Sequence, residues 1–377
     1  MENYMLQQVL SMPSLIEEMA DKQYEKVENL IDDELFNKIK KIYIFGSGDS
    51  YNGAVASKQA FIDIAKIDTE VINALQASRY LAKDTNKQKA DESLAICISS
   101  SGEAARSVEA IYNLRKAGFH TLLVGASLNS RAGKRAELFL EAKETSFKKA
   151  PIPIPGIRSF IPPVISLYYL AIHFAYRKGL IDINVVLDLK KQIRDLGKIV
   201  EKTFINYKDD VEKFSELIGK YERVEFISSG PGKGGFDFGA SKILEANGYY
   251  ALSQDTEEYA HQTFFLNEPN HLPTVLLIAS DSPYVDRALE IQDVLSFQSR
   301  PLLIVSDDNK YIKDNHYNIC FNHKIKEAFI GLPIACLMSY LTSFIPFRFT
   351  DTYMHNHLGF YNEDNLKTVK DSKIIEK

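Results

Sequence analysis

Ten short apolar runs, arranged as two sets of five, constrain the fold of this chain more than any other feature of its sequence. Both sets alternate with helical patterns, which is typical of a parallel sheet that helices cover on both faces. The runs lie at 41–46, 69–74, 93–99, 120–126 and 138–142, and again at 223–230, 249–254, 274–280, 300–306 and 316–321. Because the two sets are similar in number and length, the sequence predicts an α/β protein with two tandem domains, each a five-stranded parallel sheet flanked by helices.

The segments between and around these runs predict the domain boundaries. Helical patterns occur at 51–65, 105–117 and 158–178 in the first half, and at 236–247, 284–296 and 325–344 in the second. We expect an N-terminal helical segment at 1–38, a first domain at 39–183, a helical connector at 184–220, a second domain at 221–345 and a C-terminal tail at 346–377. The tail is polar and irregular, as a frayed end would be. Its aromatic and histidine content nevertheless favours packing, and we expect it to contribute to the active site.

Composition excludes several classes of protein. The 377 residues carry 45 Lys and Arg against 50 Asp and Glu, a formal charge of -5. This disfavours a dedicated nucleic-acid-binding protein, because phosphate contacts need a concentrated basic surface. Three scattered cysteines predict neither a disulfide framework nor a thiolate metal site. No charge-free apolar stretch reaches the roughly 20 residues of a membrane span, and the N-terminus lacks a signal layout, so we expect a soluble cytoplasmic protein that binds no membrane.

Three loops follow predicted strands and precede predicted helices, where open parallel sheets bind ligands. They are GSGDSY at 46–51, SSSGEA at 99–104 and SSGPGKGG at 228–235. The first would serve equally well as a turn with a helix cap, and the third lacks the spacing of a Walker loop. The second is more informative, since three consecutive hydroxyl groups beside the free N–H groups of a helix start suit a dianionic phosphate monoester.

The strand–GSGDSY–helix and strand–ISSSGE–helix units, about fifty residues apart in a repeated α/β chain, resemble the sugar isomerase (SIS) domain family. That family includes the isomerase half of glucosamine-6-phosphate synthase, archaeal glucosamine-6-phosphate deaminases and fructosamine-6-phosphate deglycases. The resemblance covers the chain from about residue 35 to the C-terminus. It does not extend to a glutaminase domain, because no Cys follows Met1 and only about 38 residues precede the first strand.

The resemblance implies a set of substrate-binding residues. The family's phosphate-binding motif S-x-S-G-E-T falls on Ser99, Ser100, Ser101, Gly102, Glu103 and Ala104. Ala104 replaces the threonine and removes a hydroxyl contact worth roughly 1.5–3 kcal/mol to a charged group, which Ser107 or Ser47 could offset. In the first loop, the family's substrate-hydroxyl serine falls on Ser50. Ser47 and Asp49 of the same loop are further candidates for substrate binding.

The resemblance also implies catalytic residues. The family places a glutamate on the first helix of the second domain and a histidine sixteen residues later, which is the separation of Glu245 and His261. Lys242 precedes Glu245 by three residues and is expected on the same helix face. The segment E-E-Y-A-H-Q-T lacks the Gly-Pro that commonly follows the family's histidine. In the tail, N-L-K-T-V is one residue shorter than the family's N-L-A-K-S-V, so Lys367 is the candidate for the sugar-contacting lysine, with Lys370 as the alternative register.

The implied activity is aldose–ketose isomerisation of a phosphosugar, or deamination of glucosamine 6-phosphate to fructose 6-phosphate. Glu245 would shuttle a proton between C1 and C2, and His261 would open the ring, without a metal or other cofactor. A deglycase acting on fructosamine 6-phosphates and a non-catalytic phosphosugar-binding regulator are the alternatives. A regulator would need only the phosphate loop, and each residue alone would also fit an ordinary structural role. Because the histidine of related enzymes comes from the neighbouring subunit, the resemblance implies a homodimer with a shared active site.

Overall fold

The computed structural model of the chain describes residues 2–148, 150–313, 317–346, 353 and 369–376. These residues form two compact units, each of which has its own sheet. The described residues of Leu15–Ser146, Arg158–Arg194 and Tyr361–Lys377 make up the first-sheet unit. Those of Met1–Ser14, Phe147–Ile157 and Asp195–Phe360 make up the second-sheet unit.

Strands and helices alternate as the apolar runs predict. The strands are β1 Lys41–Gly46, β2 Asp68–Asn73, β3 Ser93–Ile98, β4 His120–Gly125, β5 Leu138–Glu141, β6 Arg223–Ile227, β7 Tyr250–Gln254, β8 Thr274–Ile278, β9 Leu302–Ser306 and β10 Tyr317–Cys320. The helices are α1 Tyr4–Leu10, α2 Met12–Glu28, α3 Asp33–Lys38, α4 Asp49–Asp63, α5 Ala74–Gln76, α6 Ala82–Asp84, α7 Lys87–Asp91, α8 Ala105–Ala117, α9 Ile161–Arg177, α10 Ile183–Asn206, α11 Lys208–Tyr221, α12 Gly230–Ala246, α13 Thr256–His261, α14 Val285–Phe297 and α15 Gly331–Phe344. All ten predicted strands are therefore confirmed, as is the α/β class.

The two sheets have the same strand order. The first runs β2-β1-β3-β4-β5, and the second, read from its other edge, runs β7-β6-β8-β9-β10. Every pairing in both sheets is parallel. In the first sheet Phe45 of β1 lies opposite Cys97 of β3, so these two strands end level with each other. The loops that follow them consequently leave the sheet side by side.

Helix α9 supplies much of the core of the first-sheet unit. Fifteen of its seventeen residues are buried, from Ile161 to Ala175. Among the described residues, the segment Arg158–Arg177 is the one helix long and apolar enough to cross a membrane by length and composition, and 89% of its most apolar window is buried. A buried core helix of a globular domain has the same composition, as the sequence predicts for this segment.

Helix α12 begins earlier than its sequence pattern predicts. It starts at Gly230 rather than at 236, so most of the predicted loop 228–235 is helical. Pro231 suits the first turn of a helix, where its missing N–H costs nothing. The glycines that indicate a loop instead permit close packing against α15: a Cβ on Gly235 would lie 2.6 Å from the carbonyl oxygen of Gly331, and one on Gly239 would lie 2.5 Å from the Cβ of Met338.

Candidate functional site

The serine loop, residues 99–104, joins the end of β3 to the start of α8. Gly102 has a φ of +68°, and a Cβ there would lie 2.1 Å from Ser130 Oγ, so the turn requires glycine. The Gly102 N–H donates to Ser99 Oγ at 3.2 Å, and the Glu103 N–H donates to Ser101 Oγ at 3.2 Å. Each of these hydroxyl groups accepts a bond from the loop itself and keeps its own proton to donate.

A cavity of about 280 Å³ lies where the loops after β1 and β3 run side by side. We call it the hydroxyl cavity, because six of its lining residues carry hydroxyl groups. These are Ser47, Ser50, Ser99, Ser100, Ser101 and Ser159. The other lining residues are Asp49, Gly53, Ile98, Ala104, Phe160 and Pro163. The fold thus brings together all the predicted substrate-binding residues except Gly102, which shapes the serine loop without lining the cavity.

Ser159 is a lining residue that sequence reasoning missed. It lies in a turn of 3-10 helix, Arg158–Phe160, immediately before α9. Buried Arg158 fixes this turn through bonds to Glu144 Oε2 at 3.2 Å and to the Thr145 carbonyl at 3.1 Å. In the sequence, Ser159 stands alone after a proline-rich connector and more than fifty residues beyond the serine loop. The serine motif spans only neighbouring residues, so it gives no indication that Ser159 lines the same cavity.

The described end of the tail packs on the helix that follows the serine loop. The Ala105 N–H, at the start of α8, donates to the carbonyl of Val369 at 2.9 Å. Lys370 is exposed, and its carbonyl accepts a bond from Arg131 at 2.9 Å. Lys367, the preferred tail lysine, lies outside the described residues.

A buried carboxylate fastens this tail segment to α8. Glu109 is fully buried and forms ion pairs with Arg79, at 3.0 Å, and with Arg106. It also accepts a bond from the backbone N–H of Ile375 at 2.6 Å. Burial raises the pKa of Glu109, but Arg79, the Ile375 N–H, Ser78 and Arg106 together outweigh burial and hold this pKa below its ordinary value of 4.5.

In the second-sheet unit, Glu245 and Lys242 form an ion pair on α12. Lys242 Nζ lies 2.7 Å from Glu245 Oε2, which agrees with the predicted shared helix face. The lysine side chain is 1% exposed and that of the glutamate 36%. The Lys242 ammonium also lies 5.0 Å from the ring centroid of Phe238. A buried cation thus holds a carboxylate that remains accessible to solvent on its outer side.

His261 ends the short helix α13, and its side chain is 68% exposed. Its Nε2 lies 3.1 Å from Glu257 Oε1, and the hydrogen bond from His261 is the main cause that lowers the pKa of Glu257. A buried network fixes the chain directly after α13. There Arg300 donates to the Thr263 carbonyl at 2.8 Å and pairs with Glu225, and the side chains of both ion-pair partners are fully buried.

Clusters of His, Cys, Asp and Glu side chains are the places where proteins usually bind metal ions. Over the part of the chain that the structure describes, no group of three or more His, Cys, Asp or Glu side chains is placed to hold a metal ion. His355 and His357 of the tail lie outside that part.

Comparisons with known proteins agree with this arrangement. Residues 35–172 match the family model described as SIS domain. Glutamine--fructose-6-phosphate aminotransferase [isomerizing] of Clostridium perfringens is 22% identical over 389 residues, which cover 100% of this chain and 59% of the relative. The enzyme of the same name from Caldanaerobacter subterraneus is 23% identical, over 74% of this chain and 45% of the relative. The chain therefore spans about half the length of these curated relatives.

Solved structures share the fold. The C-terminal domain of glucosamine-fructose-6-phosphate aminotransferase from Francisella tularensis superposes with a TM-score of 0.78 at 19% identity, covering 92% of this chain and 96% of that one. Glucosamine-6-phosphate deaminase from Thermotoga maritima superposes with a TM-score of 0.59 at 18% identity, covering 88% and 94%. At these identities the likeness concerns the fold, and the activity has to be argued from the site.

Proposed function

We propose that this chain is a phosphosugar isomerase or deaminase that acts on an amino sugar phosphate of the glucosamine 6-phosphate type. The hydroxyl cavity carries the proposal. Six hydroxyl groups surround a space at the carboxyl edge of the first sheet, inside the segment that matches the SIS domain. The serine loop would hold the phosphate group there, and this remote contact would fix the position of the reacting carbons.

Glu245 is the proposed proton shuttle. After ring opening, it would remove the proton from C2 of the open-chain aldose and return it to C1, which moves the carbonyl character from C1 to C2. For glucosamine 6-phosphate the product of this step is a C2 imine, and water then releases ammonia and fructose 6-phosphate. The ion pair with buried Lys242 supports the assignment, because it orients the carboxylate.

His261 and Lys367 complete the proposed machinery. His261 would act in ring opening, and its exposure supports a role in the site of a second copy of the chain, in a homodimer with shared sites. Lys367 would polarise the sugar carbonyl or form an imine with it. None of these steps needs a metal or a redox cofactor.

The test is to incubate the purified chain with glucosamine 6-phosphate and to measure ammonia and fructose 6-phosphate. Glu245→Gln should abolish turnover while phosphosugar binding persists. Asp237→Asn is the matched control, because it removes one carboxylate charge from the same helix, where Asp237 pairs with Lys233 at 2.7 Å. Wild-type turnover in the Glu245 variant would remove this residue from the mechanism. Release of an amino acid from a fructosamine 6-phosphate would point instead to a deglycase, and binding without any turnover would point to a regulator.

A further inference from the structure

The hydroxyl cavity has a single charged side chain among its described lining residues, and that charge is negative. Asp49 lines the cavity beside Ser47 and Ser50. It is the first residue of α4, where the positive end of the helix dipole favours the ionised carboxylate. The residue is half-buried, which strengthens the charge interactions of its carboxylate relative to those in bulk water.

This carboxylate restricts what the cavity can bind well. It repels a ligand whose only charge is a phosphate group, since like charges near each other disfavour binding. Ionised Asp49 can also only accept hydrogen bonds, so its partner on the ligand has to be a donor. A sugar hydroxyl group would serve as a neutral donor. An ammonium group would serve as a charged one, would form a stronger bond and would offset the repulsion of the phosphate.

We propose that Asp49 makes the hydroxyl cavity selective for phosphosugars that carry a free ammonium group. Six hydroxyl groups and a carboxylate in one cavity match a ligand with an anionic end and a cationic substituent. Neutral hexose phosphates, and amino sugar phosphates whose nitrogen is acylated, lack the cation and bind more weakly. This inference rests on the proposed function, and it assigns the class of substrate to one residue.

The experiment measures calorimetric binding of glucosamine 6-phosphate, N-acetylglucosamine 6-phosphate and glucose 6-phosphate at slightly acidic pH, where the free amine is protonated. The wild-type chain should bind the free amino sugar about 10-fold or more tightly than the other two, as expected for one charge-assisted hydrogen bond. Asp49→Asn keeps the size of the side chain and one acceptor oxygen but removes the charge. It should lose this preference, because loss of the charge weakens binding of the amino sugar and relieves the repulsion of the two ligands that lack an ammonium group.

Asp63→Asn is the matched control. Asp63 is exposed at the far end of the same helix, roughly 21 Å along the axis for fourteen residues, so this variant should keep the wild-type preference. Asp49→Ser, which also suits a helix start, repeats the test if the asparagine variant does not fold. Equal weakening of all three ligands by Asp49→Asn would mean that Asp49 accepts a bond from a sugar hydroxyl group. That result would overturn the selectivity and leave the proposed function standing, whereas wild-type protein that binds none of the three would overturn both.

Discussion

Replacing Gly102 by alanine tests whether the shape of the serine loop depends on its contact with Ser130. At a φ of +68°, any non-glycine residue costs about 1–2 kcal/mol in backbone strain. The new Cβ would also lie 2.1 Å from Ser130 Oγ and 2.5 Å from Ser130 Cβ, so the serine would have to move. Buried Ser130 Oγ donates to the Ser127 carbonyl at 2.8 Å and accepts from the Gly133 N–H at 3.1 Å, and loss of these bonds costs about 1 kcal/mol each.

The expected loss in free energy of unfolding is therefore about 3–4 kcal/mol for Gly102→Ala. Gly179→Ala is a closely matched control, because Gly179 has a φ of +67° and no heavy atom within 4 Å of its added Cβ. In this variant the free energy of unfolding should fall only by the backbone strain of about 1–2 kcal/mol. The difference of about 2 kcal/mol corresponds to about 4–8 °C in Tm for a domain of this size.

Thermal melts followed by circular dichroism, together with urea titrations, would measure both variants. Calorimetric binding of a phosphosugar would show whether the distorted loop still binds. Equal losses of stability in the two variants would refute the reasoning, because the contact with Ser130 would then contribute nothing to the shape of the loop.

Three further predictions concern buried charges and the proposed subunit sharing. Glu109→Gln should lower the free energy of unfolding by about 3 kcal/mol near neutral pH, because it leaves two guanidinium groups without their carboxylate. Since the folded-state pKa of Glu109 lies below 4.5, its contribution to stability is present above pH 4.5 and is lost as the pH falls through the folded-state pKa. The Tm values of variant and wild type, measured across pH, should therefore become equal in acid. Arg300→Met should lower the free energy of unfolding, measured by urea titration, by about 3–5 kcal/mol, because it leaves the buried Glu225 carboxylate unpaired. Adding Glu225→Gln should recover part of this stability. A double variant no more stable than the single one would contradict a charge effect. Glu245→Gln and His261→Asn chains should each be inactive alone but regain about a quarter of wild-type turnover when they are co-expressed. Half of randomly formed dimers contain one chain of each kind, and each such mixed dimer has one of its two sites intact. No regain of turnover would contradict shared sites.

Most of the fold could be predicted from local patterns. The strands at 41–46 and 93–98 follow from runs of apolar residues, and α8 begins and ends at Ala105 and Ala117 as predicted. The grouping of Ser50 with the serine loop also follows from sequence, because parallel strands bring the loops at their carboxyl ends to one edge. These inferences succeed because the periodicity of strands and helices depends on residues that are close together in the sequence.

Contacts between residues far apart in the chain could not be predicted in the same way. Glycines that favour a loop at 228–235 instead allow α12 to approach α15, and nothing near Ser159 indicates that it lines the hydroxyl cavity. The burial of Lys242 and the pairing of Arg300 with Glu225 likewise depend on packing across the unit. The sequence by itself determined the order of strands and helices and the hydroxyl-rich motif. The tertiary structure decided which side chains share a cavity and which charges are buried, because close packing and desolvation depend on neighbours that local sequence does not specify.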